Sequence, residues 1–325
     1  MKSAPAASLL ACFCAAVLAA PASAQPHARP PAKPAHARYS LEGVWRVNFI
    51  VPMETPAGAP PLVVSEALAK PIAAAVGKEW SDFFAASLDP ELPMLVPLSD
   101  GLPIVRGQRR TRAVVLPADG RLPYAPAVRK ETEGPPPEGP PMDNPETLSN
   151  AERCLVGQGQ PPLSSFTLDN QIQILRTKDA VVILVEYGND LRIVPLRADH
   201  SPAQLASRLG DSIGHFEGET LVIETVGMPD ADRHRFAPTL IVPGAAKVVE
   251  RLTPVSDKEL LYQFTVEDPK AFTAPWLAEF SWFRTKLPMY EHACHEGNYS
   301  MANELSGARH DDAVAKAKPA AAGTR

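Results

Sequence analysis

Residues 247–267 read KVVERLTPVSDKELLYQFTVE. Across 259–267, Leu260, Tyr262, Phe264 and Val266 fall on one side of an extended chain. Leu261, Gln263, Thr265 and Glu267 fall on the other. A period of two with apolar residues on one side is the pattern of a β-strand with one buried face. Lys247–Val255 is a second such run, and Ser256-Asp257-Lys258 between them is turn chemistry. The pair reads as a hairpin.

The same reading extends in both directions. Ser212–Phe216 and Thr220–Val226 flank Glu217-Gly218-Glu219, while Trp276–Thr285 and Met289–Cys294 follow the hairpin. Strands begin at Gln171. Ala180–Tyr187 (AVVILVEY) is a continuous apolar run, as expected of a strand covered on both faces. Gly188-Asn189 then signals a turn into Asp190–Leu196. Ser201-Pro202-Ala203-Gln204 has the form of a capping box opening a short helix to Leu209. Successive short strands joined by tight turns predict an antiparallel meander. A meander this long curls or closes to remove its edges. The expected fold is mainly β: a barrel or strongly curved sheet with a few added helices.

The N-terminal half reads differently. Of 36 prolines in 325 residues, many fall in 52–150, which ends in GPPPEGPPMDNPETLSN, so this part is no continuous sheet or helix interior. Leu68, Ile72, Val76, Trp80 and Phe83 or Phe84 recur at helical spacing over 65–86. Pro71 suits a first turn, which puts the expected start near Lys70. Residues 25–38 read as a flexible Pro/Ala linker and 310–325 as a disordered tail. The expected division is 39–150, a Pro-rich part with one helix packed on the core, and 151–309, the β-rich core.

Residues 1–24 read as a signal peptide. Lys2 supplies the charge, Leu9–Ala20 the apolar run, and Ala22-Ser23-Ala24 the cleavage signature before Gln25. The apolar run is shorter than the ~20 residues a membrane span needs. The expected location is the periplasm or the exterior. Loss of Lys2 leaves 31 basic against 37 acidic residues, a charge of −6. No basic stripe interleaved with aromatics appears, which excludes nucleic acid and an anionic membrane surface as partners. No membrane insertion is expected. Cleavage also removes Cys12 and Cys14. The remaining pair, Cys154 and Cys294, reads as a disulfide in an oxidising compartment.

Leu41-Glu42-Gly43-Val44-Trp45 opens the first strand. A Gly-x-Trp start to an up-and-down barrel resembles the opening of a lipocalin or related calycin. The segment Tyr290-Glu291-His292-Ala293-Cys294-His295-Glu296-Gly297-Asn298-Tyr299-Ser300-Met301-Ala302-Asn303 resembles the C-terminal hallmark of a family of exported bacterial proteins of unassigned activity. Gly210-Asp211-Ser212, Phe216–Val222, Leu191–Leu196 and Glu152–Leu155 resemble it too. The resemblance implies that 151–309 is the defining core and that Cys154 and Cys294 belong to it together. It carries over no catalytic residues.

Several groups are candidates for chemistry. His295 and Glu296, with Tyr299, form a possible acid–base set, because imidazole titrates near neutrality and a carboxyl against an apolar wall can be raised. The alternative is a structural corner that satisfies buried backbone groups. Arg192, inside an apolar strand, can hold a ligand carboxylate or sulfate if it lines a barrel. Glu186, Glu217 and Glu224 are its candidate ion-pair partners. Arg153, Asn298, Asp211 and Glu217 complete the candidate ligand-binding residues. His292-x-Cys294-His295-Glu296 has metal-ligand types, but Cys294 is taken by the bridge and adjacent residues face opposite ways, so no metal is expected. Gly210-Asp211-Ser212-Ile213-Gly214 fits G-x-S-x-G, yet lacks the strand-then-helix setting of a nucleophile elbow. Gly157-x-Gly159 lacks the third glycine of a dinucleotide site, and no cofactor is expected. Asp230–Arg235 reads as a charged, solvated loop. Three functions remain open: a binding protein for a small, largely apolar or aromatic molecule, a cofactor-independent hydrolase or lyase, and an envelope interaction module.

Overall fold

The structure, a computed structural model, describes residues 38–47, 52–54, 58–87, 102–133, 144–148, 150, 152–155, 157–163, 171–202, 205, 207–230, 234, 235 and 240–317. The segment read as a signal peptide, most of the segment read as a linker, and half of the Asp230–Arg235 segment lie outside them. In chain order the elements are β1 (Gly43–Arg46), β2 (Val63–Val64), α1 (Glu66–Ser87), β3 (Ile104–Val105), β4 (Gln108–Arg110), β5 (Val114–Leu116) and α2 (Pro126–Glu133). Then come β6 (Ile172–Arg176), β7 (Ala180–Val185), β8 (Asp190–Pro195), β9 (Asp211–Glu217), β10 (Thr220–Val226), β11 (His234–Arg235) and β12 (Leu240–Ile241). Last are β13 (Lys247–Pro254), β14 (Glu259–Glu267), β15 (Trp276–Arg284) and α3 (Tyr299–Ala317).

Nine strands pair in the order β8-β7-β6-β1-β15-β14-β13-β10-β9, with β5 attached to β15. Every neighbouring pair is antiparallel. The sheet curls until its first and last strands meet, so it is nearly closed into a barrel. Strands alternating in direction along an odd-numbered path leave β8 and β9 pointing the same way. Among the described residues no ladder joins them. They pack by side chains instead, and a Cβ added at Gly214 of β9 would lie 2.8 Å from Val194 Cγ1 of β8.

The alternation read in 259–267 is the alternation observed. Leu260, Tyr262, Phe264 and Val266 point into the barrel and are buried. Cross-strand register places Trp282, Phe280, Ala278 and Trp276 of β15 beside them. Trp45 of β1 joins them in the core. The Tyr262 and Trp282 rings stack at 4.7 Å and 11°. Large aromatic side chains thus fill this part of the interior and carry much of its apolar burial.

The Gly-x-Trp opening has a local cause. The Arg284 guanidinium lies 4.1 Å over the Trp45 ring. It donates from Nη1 to Glu42 O at 2.7 Å, from Nη2 to Ser40 O at 2.8 Å, and from Nε to Asp257 O at 2.7 Å. A Cβ at Gly43 (φ +139°) would meet Arg284 Nη1 at 2.0 Å, so only glycine admits this clamp. The cation over the indole ties the last strand to the first.

The N-terminal part covers the outer face of β14 and β15. Arg110 Nη2 donates to Glu279 Oε1 at 2.8 Å, and Gln263 Nε2 to Glu279 Oε2 at 2.9 Å. β5 pairs with Leu277 and Ala278 of β15.

Five expectations differ from the structure. Met289–Cys294 is not a strand, because β15 already has β14 on one edge and β1 with β5 on the other. β7 alternates between buried and half-buried residues rather than being covered on both faces, and Leu175, Leu191 and Ile193 are exposed on the outer side. α1 starts at Glu66, with Ser65 O accepting from Ala69 N at 2.9 Å, and so holds Pro71 inside it. Ala69 and Ala73 are its buried positions, while Leu68 is exposed; the side chains of Val76, Trp80, Phe83 and Phe84 lie outside the described residues. The segment read as a tail from 310 is helical through Ala317, two residues before Pro319, where a pre-proline residue disfavours the α conformation. In the segment expected to be helical to Leu209, Leu205 forms a single tight turn and residues 203, 204 and 206 lie outside the description.

Candidate functional site

The β7–β8 turn anchors the C-terminal segment. Cys154 and Cys294 are bridged, with Cα atoms 5.8 Å apart. Asn189 clamps the backbone of His292: its Oδ1 accepts from His292 N at 3.1 Å, and its Nδ2 donates to His292 O at 3.0 Å. The His292 ring packs 4.4 Å from that of Tyr187. Glu186 is buried and accepts from Gln171 N at 3.1 Å and Tyr290 N at 2.5 Å. Asn298 Oδ1 accepts from Met301 N at 3.3 Å, an N-cap for α3, while its Nδ2 donates to Glu152 O at 2.6 Å. These bonds use the polar groups of the segment for structure.

The candidate acid–base residues are not gathered in a cleft. His295, Glu296 and Tyr299 are all exposed, Tyr299 by 75%. No side-chain hydrogen bond links them among the described residues. Arg153 is half-buried beside the bridge. Among the described residues, no three His, Cys, Asp or Glu side chains converge to hold a metal ion.

Residues 158–163 are buried against the interior. Gly157 N and Gly159 N donate to Asp190 Oδ2 at 2.9 and 2.7 Å. A Cβ at Gly157 would sit 2.0 Å from Tyr187 O, which explains the glycine. Burial pushes the Asp190 carboxyl above the usual range, against those two backbone bonds.

Asp211 lies beside the open seam. It accepts from Ser201 N at 2.8 Å and meets His200 Nδ1 at 2.7 Å, while Arg197 Nη2 is 3.5 Å away. His200 Nε2 reaches Glu224 at 3.4 Å. Partial burial pushes the Asp211 carboxyl up, but the bonds from Ser201 and His200 outweigh it and hold it below the usual range. A depressed folded-state value stabilises the fold above the unfolded-state value, and that contribution is lost as pH falls through the folded one. Asp211→Asn is therefore expected to lower the urea midpoint near neutral pH, with the difference shrinking as pH falls through the lowered folded-state value of the carboxyl. An equal deficit at both ends of a pH series would contradict this. Glu217 is an exposed ion-pair residue, 2.7 Å from Arg251 Nη2.

Arg192 is the sequence candidate that the structure places inside the barrel, where it is 3% exposed. None of the three partners expected for it is the partner found. Its Nη2 lies 3.0 Å from Oε1 and 2.9 Å from Oε2 of Glu250, which is fully buried on β13. Tyr262 OH donates to Glu250 Oε1 at 2.7 Å and accepts from Leu163 N at 2.8 Å. Among the described residues, the Nε and Nη1 groups of Arg192 have no hydrogen-bond partner, nor do Trp282 Nε1 and Glu250 Oε2. Each buried, unsatisfied donor costs about 1–3 kcal/mol. Glu250 was legible in principle: it holds an inward place in the alternation Val248, Glu250, Leu252.

Sequence reasoning also missed a cleft at the barrel end that carries the β6–β7, β9–β10 and β13–β14 turns. Its volume is ≈ 350 Å³, and its lining includes Arg38, Tyr39, Arg176, Phe216, Glu219 and Asp257. The Arg176 guanidinium lies 4.3 Å over the Phe216 ring. Arg38 N bonds Glu219 Oε1 across the opening. These residues come from four separate turns and strand ends, which no local motif brings together.

No family model matches the chain, and no curated protein matches it. Function therefore rests on the sites themselves.

Proposed function

We propose that this is an exported binding protein that takes a small, aromatic molecule in the cleft at the mouth of the barrel. The observation that carries the reading is the ≈ 350 Å³ cleft with Phe216 and Tyr39 in its wall and a guanidinium stacked on Phe216. That volume is at the lower end of small-molecule sites, which combine apolar rings with a few polar groups. Arg176 and Arg38 supply cations that favour a planar ring or an anionic substituent, and Glu219 and Asp257 supply acceptors. Export is supported by residues 1–24, with their charged, apolar and small-residue parts, and by a disulfide of the kind that persists in oxidising compartments. The Gly43-x-Trp45 start supports a calycin-like relationship. The exposed positions of His295, Glu296 and Tyr299 give the acid–base alternative no enclosed site.

The test uses anilinonaphthalene sulfonate, an aromatic anion whose fluorescence rises in apolar sites. The protein is expected to bind it saturably, and Phe216→Ser to weaken binding about tenfold through loss of the ring face. Unchanged binding in a Phe216→Ser variant that keeps its thermal midpoint would sink the proposal.

A further inference from the structure

We propose that the barrel interior holds a second ligand site, in which Arg192 receives a small carboxylate at the nitrogen positions flanking its contact with Glu250. This site is separate from the mouth cleft and does not depend on it.

Four observations carry the inference. Arg192 is 3% exposed and points inward from β8, yet among the described residues only Nη2 is engaged, and Nε and Nη1 have no partner. Trp282, stacked on the Tyr262 ring whose hydroxyl shares Glu250 with Arg192, also presents an unpartnered N–H. The acceptors on hand are fewer than the donors: Glu250 Oε1 receives both Arg192 and Tyr262, Tyr262 OH receives Leu163 N, and Glu250 Oε2, 2.9 Å from Arg192 Nη2, is the acceptor left over. Donors therefore exceed acceptors at this point in the core, which suits a group that only accepts. Lastly, β8 is one lip of the seam at which no ladder closes the barrel, so the strand that carries Arg192 borders the least secured wall.

The chemistry limits the ligand. Large aromatic side chains fill much of the interior, so the accepting group is small. Glu250 already supplies one negative charge, so a monoanion is favoured over a phosphate dianion, whose repulsion and desolvation are larger. A guanidinium bridging two carboxylates meets both conditions. Glu250 then competes with the ligand for Arg192, and its neutralisation tightens binding.

The experiment follows the thermal midpoint of the protein against sodium formate, with sodium chloride holding ionic strength constant. A saturable rise is expected with formate and none with neutral formamide. Glu250→Gln is expected to lower the apparent dissociation constant about tenfold, since the competing charge is gone. Arg192→Met/Glu250→Met removes both charges together; it is expected to fold, as its own thermal transition checks, and its midpoint is expected to ignore formate. The proposal is overturned by a midpoint that follows ionic strength alone, or by an equal response to formamide, which would mean that the donors take any acceptor, water included. A formate response that persists in the double variant overturns it too.

Discussion

Glu250→Ala is expected to destabilise the protein by about 3–5 kcal/mol. Glu250 is fully buried, and it is the partner of a guanidinium that is itself 3% exposed. Its removal strands the Arg192 charge in a medium that solvates it poorly, and also leaves Tyr262 OH without its acceptor. Urea unfolding measures this directly. The paired replacement Arg192→Met/Glu250→Met behaves in the opposite way. With both charges gone, stability is expected to be unchanged or to rise, because apolar packing replaces a desolvated ion pair. A double variant as weak as Glu250→Ala would mean that the pair is a net source of stability.

The second large effect is expected at the bridge. Breaking Cys154–Cys294 with Cys294→Ser, or by reduction, is expected to cost about 3–5 kcal/mol. The two cysteines are 140 residues apart, so the bridge closes a long loop and restricts the unfolded chain strongly. It also ties the chain just before the buried 158–163 stretch to the C-terminal segment that rests on the β7–β8 turn. Cys154→Ser should match Cys294→Ser, because either removes the same constraint. The check is urea denaturation with and without reductant. Reductant that leaves the wild-type midpoint unmoved would show that the bridge adds nothing.

Much of the fold was legible in the sequence, for a physical reason. A strand with one buried face writes its period into consecutive residues, so 259–267, 247–255 and the 212–226 hairpin could be read locally. The bridge was legible because the expected signal cleavage would remove Cys12 and Cys14 and leave one pair, Cys154 and Cys294. What failed depended on edges and neighbours. Met289–Cys294 has strand-like residues but finds no free edge on β15, the strand it follows. Ala180–Val185 is apolar on both sides, yet only one side faces the core. The site was the least legible part. Arg192 could be flagged as a charge inside an apolar strand, but Glu250 lies 58 residues away and meets it only because the sheet curls. The mouth cleft joins Tyr39, Arg176, Phe216 and Asp257 from distant turns, and none of these residues stands out alone. His295 and Glu296 drew attention by density of polar groups, which here reflects a capped, bridged corner.

The most direct test of the central claim is a screen of small aromatic compounds against isotope-labelled protein, followed by backbone amide shifts. The binding reading predicts hits that move the amides of Tyr39 to Glu42, Arg176 and Phe216 to Glu219 together, saturably, while the rest of the spectrum stays in place. A screen that moves none of these amides, or whose hits gather on residues 291–299 instead, would contradict it.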